Sequence, residues 1–404
     1  MKIPLAYSGL RDIDIEAVTN VLKSGNLTMG LEVKKFESTM ANYLGTKYFV
    51  MVNSGSSANL LMVEALLRPT VTKPMLSPGD SVLVPAIAWP TTIWPLIQLG
   101  LNPIFVDVDP KTLAIDLLLA QKLIDLSKIQ VRALFPIHPL GFSISPSELV
   151  DFTEHNNLIL INDACESLGS WSEGVHAGTV GIAGSFSFYF SHHITTMEGG
   201  GVATNDSNFA DDLRSMRSHG WSRDRSDVAN WTKEVSSNDS KFLFVSTGYN
   251  VRPMEIQAAI GSLQIKDLDY FVTKRRDIAR RITAAVDGTQ LSIIGSQTLL
   301  SSELERSNSW MLIPIKVNGI NAGSRKKRIL AALTDFEIET RPVLTGNFLA
   351  QPAIQRITRN LIDPKQYEVA SEITETTFLV GAHHDFSDEQ VEFLCAKLQE
   401  VATL

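Results

Sequence analysis

Cysteine is scarce in this chain, with only Cys165 and Cys395 among its 404 residues. So few cysteines exclude a disulfide-stabilised scaffold of this length and favour a reducing compartment, so we expect a cytoplasmic protein. They are also too few for a Cys-ligated iron–sulfur cluster, which usually takes four thiolates, unless subunits pooled their cysteines.

Long hydrophobic runs and excess positive charge are lacking as well. No apolar run approaches the roughly 18 residues of a membrane span, and the N-terminal stretch MKIPLAYSGLRD has no apolar signal core. The net charge of −8 argues against a nucleic-acid or anionic-membrane partner. A chain that is 44% hydrophobic and 20% charged has the composition of a globular protein with a large core.

Short apolar runs alternate with helical patterns through most of the chain. Residues 10–44 have helical spacing, with a break near 24–26. The candidate strands are SVLVPAIAW (81–89), PIFVDVD (103–109), VRALFPI (131–137), LILINDAC (158–165), GSFSFYF (184–190) and GGVATND (200–206). Runs of this kind indicate strands buried on both faces by crossover helices, so we predict an α/β fold with a mostly parallel sheet.

The pattern changes after about residue 260. A long basic helix is predicted over 263–285, strands over 309–317 and 336–343, and a terminal helix near 387–402. We therefore expect a large domain over 1–260 and a smaller C-terminal α/β domain over 261–404.

Several residues of the sequence fit either a functional role or a purely structural one. The serine-rich turn at 54–57 precedes a helix, where it could bind a phosphate or simply cap the helix. Asp163 ends a strand, where it could meet a ligand or cap a helix after it, and Trp89 could stack on a ring or pack in the core. His192 and His193 could transfer protons or bind metal, although neighbours in a strand face opposite sides, which argues against one shared ion.

The order of several motifs reveals a resemblance. These are GLEVKKFE (30–37), NSGSSANLL (53–61), VPAIAWPTT (84–92), NDACESLG (162–169), FSFYFSHH (186–193), EGGGVATND (198–206) and GYNVRPMEIQAAI (248–260). Together they resemble the sugar aminotransferase group of fold-type I enzymes that depend on pyridoxal phosphate. The resemblance covers most of the chain and implies that fold: a mostly parallel mixed sheet in a large domain, with a smaller C-terminal domain.

The resemblance implies which residues hold the phosphate of the cofactor. Gly55, Ser56 and Ser57 match the phosphate-binding turn, and Ser187 matches a second phosphate contact. Asn250 matches a residue that reaches the phosphate of the neighbouring subunit. The resemblance therefore implies a homodimer with shared active sites.

Three further matches concern the pyridine ring of the cofactor. Trp89 matches the residue that stacks on the ring, and Asp163 matches the aspartate that keeps the ring nitrogen protonated. Glu166 replaces the more usual glutamine or histidine near the phenolic oxygen. A cationic ring is the electron sink that this cofactor needs.

His192 departs from the family pattern, because counting from Ser187 through Ser191 places it where the family has the cofactor-binding lysine. No lysine occurs between Lys128 and Lys233. Imidazole cannot form the Schiff base that a lysine forms, so an ordinary ping-pong aminotransferase is disfavoured.

In having a histidine in place of the lysine, the chain resembles one subgroup of the family, the sugar 3-dehydratases, which use pyridoxamine phosphate. In that subgroup the histidine is the base that moves a proton to the departing C3 hydroxyl, and a near-neutral pKa would suit the task.

The subgroup has one branch with an iron–sulfur cluster and one without, and the shortage of cysteine selects the second. That resemblance implies a 4-keto-6-deoxy sugar nucleotide as substrate, GDP-4-keto-6-deoxy-D-mannose, and L-glutamate as amino donor in colitose-type deoxysugar biosynthesis. It assigns Arg341, within TRPVLTGNF, to the nucleotide sugar and His219 to a second position near the base, although His219 fits a surface loop equally well. His383 and His384 are interpreted as loop residues, and no metal site is expected. Two alternatives stay open: a sugar 4-aminotransferase that tolerates histidine, and a non-catalytic paralogue.

Overall fold

The computed structural model describes residues 1–127, 129–233, 235–236, 239–359 and 361–404. The strands of this part of the chain are β1 Tyr48–Val52, β2 Ser81–Pro85, β3 Asn102–Val106, β4 Val131–Leu134, β5 Ile159–Asp163, β6 Trp171–Ser172, β7 Val175–His176, β8 Ala183–Ser187, β9 Gly200–Thr204, β10 Leu291–Ile293, β11 Leu312–Val317 and β12 Thr377–Gly381. They form sheets of seven, three and two strands.

Helices cover both larger sheets and connect most of their strands. Their bounds are α1 Asp12–Ser24, α2 Leu31–Leu44, α3 Gly55–Leu67, α4 Pro90–Gln98, α5 Leu117–Leu126, α6 Pro146–His155, α7 Ser207–Met216, α8 Val228–Thr232, α9 Glu255–Gln264, α10 Leu268–Val286, α11 Ser302–Glu305, α12 Ala322–Asp335, α13 Pro352–Ile357, α14 Glu368–Thr376 and α15 Asp388–Val401. No helix of the described ranges combines the length and apolar character that a membrane crossing requires.

The seven-stranded sheet has the order β1-β9-β8-β5-β4-β2-β3. Its strands from β3 to β8 pair in parallel, whereas β9 runs antiparallel to β8 and β1. The predicted α/β class with a mostly parallel mixed sheet is therefore confirmed. Each predicted strand of this sheet overlaps an observed one, but the predicted strands run too far toward their C-terminal ends, and those over 103–109 and 184–190 also begin one residue too late. Their last residues leave the sheet as loops, and those loops approach one another at the carboxyl edge of the parallel strands.

The three-stranded sheet has the order β10-β11-β12 and is antiparallel. It packs with α10, α12 and α15 around its own apolar core, which also takes in Ile3 from the N-terminal segment. The strand predicted over 336–343 is wrong, because this stretch makes only isolated bridges, from Ile338 to Ile3 and from Arg341 to Leu379. The helix predicted over 263–285 is largely confirmed as α10, although its first residues belong to the end of α9 and to the turn at 265–267. The division of the chain at residue 260 stays a prediction.

Candidate active site

A cavity of about 580 Å³ opens between the carboxyl edge of the large sheet and residues of the C-terminal part. The last residues of β5 and β8, Asp163 and Ser187, form its floor together with the first turn of α3. Met311 and Arg341 approach from the C-terminal side. Ligands of open α/β sheets bind at this edge of the strands, so this is the candidate active site.

Most of the residues singled out in the sequence meet in this cavity. Those that line it are Gly55, Ser56, Trp89, Asp163, Glu166, Ser187, His192 and Arg341. Three others, Ser57, His219 and Asn250, do not line it. The structure thus brings eight of the eleven predicted residues together, while the role of each stays a prediction.

The start of α3 approaches β8 very closely. A Cβ atom added to Gly55 would lie 2.6 Å from the Ser187 Cβ and 2.9 Å from the Cys165 Sγ, so only glycine permits this approach. Ser54 caps the helix: its Oγ accepts a hydrogen bond from the Ser57 backbone N–H at 3.1 Å. Because this hydrogen bond holds Ser57 beside Ser54, Ser57 does not line the cavity, whereas Ser54 does. A helix start with exposed Ser56 beside it suits a phosphate group.

Asp163 is a buried carboxylate without a cationic partner. Its side chain is only 4% exposed, and it takes part in none of the ion pairs of the described residues. Its Oδ2 accepts hydrogen bonds from Asn59 Nδ2 at 2.8 Å and Thr92 Oγ1 at 2.7 Å, and its Oδ1 accepts one from the Cys165 N–H at 3.1 Å. An unpaired buried charge is costly, so a cationic ligand atom beside Asp163 would be strongly favoured. The pyridinium nitrogen of the expected cofactor fits this requirement.

His192 follows β8 in a turn closed by a hydrogen bond from its own N–H to the Tyr189 carbonyl oxygen at 2.9 Å. Its Nδ1 has no hydrogen-bond partner among the described residues. Desolvation, followed by the charges of Arg341 and Arg275, lowers the pKa of His192 to about 4, whereas a hydrogen bond with the Cys165 backbone acts in the opposite direction. The near-neutral pKa expected from the sequence is therefore wrong for the chain alone. The surroundings hold this imidazole neutral.

His193 does not lie on the opposite face of a strand, as its position beside His192 suggested, because both residues lie in the loop after β8. It is fully buried, and its Nε2 lies 3.3 Å from the Ser309 carbonyl oxygen. The residue is part of the packing between the loop and the C-terminal part of the chain.

His219 and Asn250 lie next to each other outside the cavity. The His219 N–H donates to the Tyr249 carbonyl oxygen at 2.8 Å, and Ser218 forms a β-bridge with Asn250. Both side chains are exposed, and His219 has a positive φ of 63°. Within one chain His219 does not line the cavity that His192 lines, and its expected place near His192 stays a prediction.

Trp89, Glu166 and Arg341 form the polar wall of the cavity. Trp89 is 45% exposed, and the Arg341 Cζ lies 5.7 Å from the centre of its ring, a cation–π contact. Burial raises the pKa of Glu166, while the Arg341 charge acts in the opposite direction. The Glu166 carboxylate accepts a hydrogen bond from the Leu140 N–H at 2.9 Å, which fixes its place.

Sequence reasoning missed several lining residues. Thr92, Glu339 and the N-terminal residues Leu5 and Ala6 also line the cavity. Glu339 accepts a hydrogen bond from the Leu5 N–H at 3.1 Å, which brings the N-terminal segment to the C-terminal part of the chain. Thr92 follows Trp89 in a recognised motif and could have been found, whereas the N-terminal segment carries no local signal.

The chain is similar to known proteins along nearly its whole length. Residues 10–399 match the DegT/DnrJ/EryC1/StrS aminotransferase family, and the chain belongs to this family. It is 36% identical to GDP-4-keto-6-deoxy-D-mannose 3-dehydratase of Yersinia pseudotuberculosis, over 98% of this chain and 97% of that protein. The resemblance inferred from the motifs is confirmed.

Two solved structures are similar along the whole chain. A variant of GDP-4-keto-6-deoxymannose-3-dehydratase with bound GDP-perosamine is 34% identical with a TM-score of 0.87, and the match covers 98% of this chain and all of that one. The same enzyme with a trapped PLP–glutamate geminal diamine is 33% identical with a TM-score of 0.84 and the same coverage. These similarities confirm the predicted fold-type I architecture.

Proposed function

We propose that this protein is a pyridoxamine-phosphate-dependent 3-dehydratase that removes the C3 hydroxyl of GDP-4-keto-6-deoxy-D-mannose, with L-glutamate as amino donor. One observation carries the proposal: His192 lines the cavity at the family's lysine position, and no lysine is among the described lining residues. The identity of the nucleotide rests on similarity to the dehydratases alone. The free cysteines suit a cytoplasmic reaction.

The residues of the cavity floor would hold the cofactor. The first turn of α3 and Ser187 would bind its phosphate, Asp163 would pair with its ring nitrogen, and Trp89 would cover the ring. When bound, pyridoxamine phosphate supplies the amine that condenses with a keto carbon and the ring that accepts electrons. Cys165 and Gly55 shape the floor so tightly that a larger residue at 55 would displace Ser187.

His192 would act as the general base. Its neutral imidazole can accept a proton at a ring nitrogen and deliver it to the departing hydroxyl, whereas an imidazolium could not begin this sequence. A positioned base of this kind contributes about 100- to 10,000-fold to the rate. The absence of lysine among the described lining residues leaves the chain without an amine there to capture the cofactor aldehyde covalently.

Arg341 is the one arginine or lysine among the described residues that line the cavity. We assign it to the anionic parts of the ligands, which are the diphosphate of the nucleotide sugar and the carboxylate of glutamate. A guanidinium group can bind a phosphate or a carboxylate with two parallel hydrogen bonds. Its contact with Trp89 holds it above the cavity.

A homodimer with shared active sites is part of the proposal. Asn250 and His219 are exposed and lie outside the cavity of their own chain. Exposed aromatic side chains also surround the cavity, with Tyr189 41% and Phe190 42% exposed. A second copy of the chain that covers these rings would supply Asn250 to the neighbouring phosphate site.

Incubation with GDP-4-keto-6-deoxymannose, pyridoxal phosphate and glutamate tests the function. We expect a sugar nucleotide lighter by one oxygen atom, with equal amounts of 2-oxoglutarate and ammonia. A product that retains nitrogen at C4 would instead identify an aminotransferase. Absence of turnover, with cofactor binding demonstrated by absorbance, would identify a non-catalytic protein.

A further inference from the structure

Arg275 lies behind the loop of His192, on α10, and is only 1% exposed. Its guanidinium donates hydrogen bonds to three backbone carbonyl oxygens. These belong to Met311 at 2.9 Å, Ala382 at 3.4 Å and His192 at 3.3 Å. The side chain therefore joins three segments at the back of the cavity: the His192 loop, the residues before β11 and the residues after β12.

None of the ion pairs of the described residues includes Arg275, so its charge is buried without a carboxylate in contact. Asp385 is the one carboxylate that raises its pKa, while burial lowers that pKa to about 10. The guanidinium remains protonated at neutral pH. A buried, unpaired cation costs several kcal/mol, and carbonyl dipoles alone repay only part of this. A charge buried in this way points to a role beyond packing.

We infer that Arg275 is a positioning residue for His192: its guanidinium fixes the backbone of the His192 loop, and its unpaired charge disfavours a second positive charge on the imidazole of that loop. The inference rests on the proposed role of His192 as the base. A cation close to an imidazole disfavours the second positive charge that protonation would create. Arg275 would therefore add to burial and to Arg341 in holding the base in the form that accepts a proton.

The other charged or titratable groups around His192 act from several elements. Arg341 faces it across the cavity and also lowers its pKa, and the Cys165 backbone, after β5, raises it. His193 adjoins it in the loop. The carboxyl groups that line the same cavity are those of Asp163, Glu166, Glu198 and Glu339. Arg275 differs from all of these because it does not line the cavity in which the ligands would bind.

Two substitutions separate the charge of Arg275 from its hydrogen bonds. Arg275→Gln keeps a donor and removes the charge, whereas Arg275→Lys keeps the charge with a different donor geometry. Arg276→Gln is the matched control, because Arg276 is the next residue on α10 but donates to the carbonyl oxygens of Asn308 and Arg306. Thermal unfolding would be recorded for each variant to identify any that do not fold.

The first measurement is an NMR titration of the cofactor-free protein labelled with 13C-histidine, with the His192 signal assigned from its loss in His192→Asn. In the wild type, in Arg275→Lys and in Arg276→Gln, the His192 signal should change little between pH 8 and about 5.5, as its pKa of about 4 requires. In Arg275→Gln the midpoint should rise by about one pH unit, so that about a quarter of the imidazole is protonated at pH 5.5. The acidic limb of kcat/KM should move upward by a similar amount in Arg275→Gln alone.

A folded Arg275→Gln variant whose His192 titrates as in the wild type would overturn the inference. If that variant does not fold, Arg275→Lys decides, since a His192 midpoint near the ordinary histidine value of about 6.5 would then refute the charge argument. The titration needs neither cofactor nor turnover. A protein that shows the expected titration but no dehydration would refute the proposed function and leave the electrostatic coupling intact.

Discussion

Replacing His192 and His193 one at a time separates chemistry from packing within a single loop. His192→Asn removes a ring whose Nδ1 makes no hydrogen bond with the described residues and whose hydrogen bond with the Cys165 backbone is worth about 1 kcal/mol, so the free energy of unfolding should change by only about 1 kcal/mol. Loss of the general base should reduce turnover by about 100- to 10,000-fold. That factor corresponds to about 3 to 5 kcal/mol of transition-state stabilisation.

His193→Asn should have the opposite effect. The ring is fully buried and its Nε2 faces the Ser309 carbonyl oxygen, so a smaller side chain leaves a cavity and a weakened hydrogen bond. A loss of about 2 to 4 kcal/mol in unfolding free energy is expected from buried large-to-small changes. Turnover per folded molecule should fall far less than in His192→Asn.

The assay combines mass spectrometry of the sugar product with urea unfolding followed by circular dichroism. Ser191→Ala is a useful control, since it changes the loop just before both histidines without removing an imidazole. A His192→Asn variant that keeps more than a few per cent of wild-type turnover would refute the role of His192 as the base. Equal losses of activity and stability in both histidine variants would also refute the separation, because the loop would then act as one structural unit.

Three further predictions concern the same site and its assembly. His192→Lys should bind pyridoxal phosphate covalently, turn yellow and be labelled at residue 192 after borohydride reduction; labelling of another lysine would mean that residue 192 does not face the cofactor aldehyde. An equal mixture of His192→Asn and Asn250→Ala subunits should regain about a quarter of wild-type activity, because half of the dimers contain one intact shared site; no recovery after verified subunit exchange would exclude a shared site. Stability should fall by several kcal/mol as the pH falls from about 6.5 to 5.5, because the unfolded chain then binds protons that the folded chain does not; equal urea midpoints at pH 7.5 and 5.5 would contradict this. The histidines with lowered pKa values that drive this loss are His138, His176, His192, His193, His383 and His384.

The apolar runs predicted the parallel core of the large sheet because burial on both faces leaves a continuous hydrophobic signal. The strand β1 was missed, since five residues between a helix and a serine turn offer little periodicity. The stretch 336–343 has strand-like composition, yet its backbone pairs only through single bridges at Ile338 and Arg341. Tertiary contacts with Ile3 and Leu379 decide its conformation, and no local pattern encodes them.

The cavity could be predicted where its residues belong to ordered motifs, and not where distant segments complete it. The order of the motifs predicted Gly55, Asp163 and His192 as site residues, and all three line the same cavity. Glu339 and Leu5 are 334 positions apart and meet only because the N-terminal segment runs beside residues 337–339. The low pKa of His192 also depends on Arg275, whose place on a basic helix gives no sign that its side chain turns inward.

The surroundings of His192 would act on a lysine in the same way as they act on the imidazole. Burial is the largest cause of the lowered pKa at this position, and the positive charges of Arg341 and Arg275 add to it. Cationic neighbours and desolvation lower the pKa of a lysine, which makes its amine nucleophilic near neutral pH. The same field therefore suits covalent capture of an aldehyde when residue 192 is a lysine, and proton transfer by a neutral base when it is a histidine. We therefore expect His192→Lys to react covalently with the cofactor aldehyde although the rest of the site is unchanged.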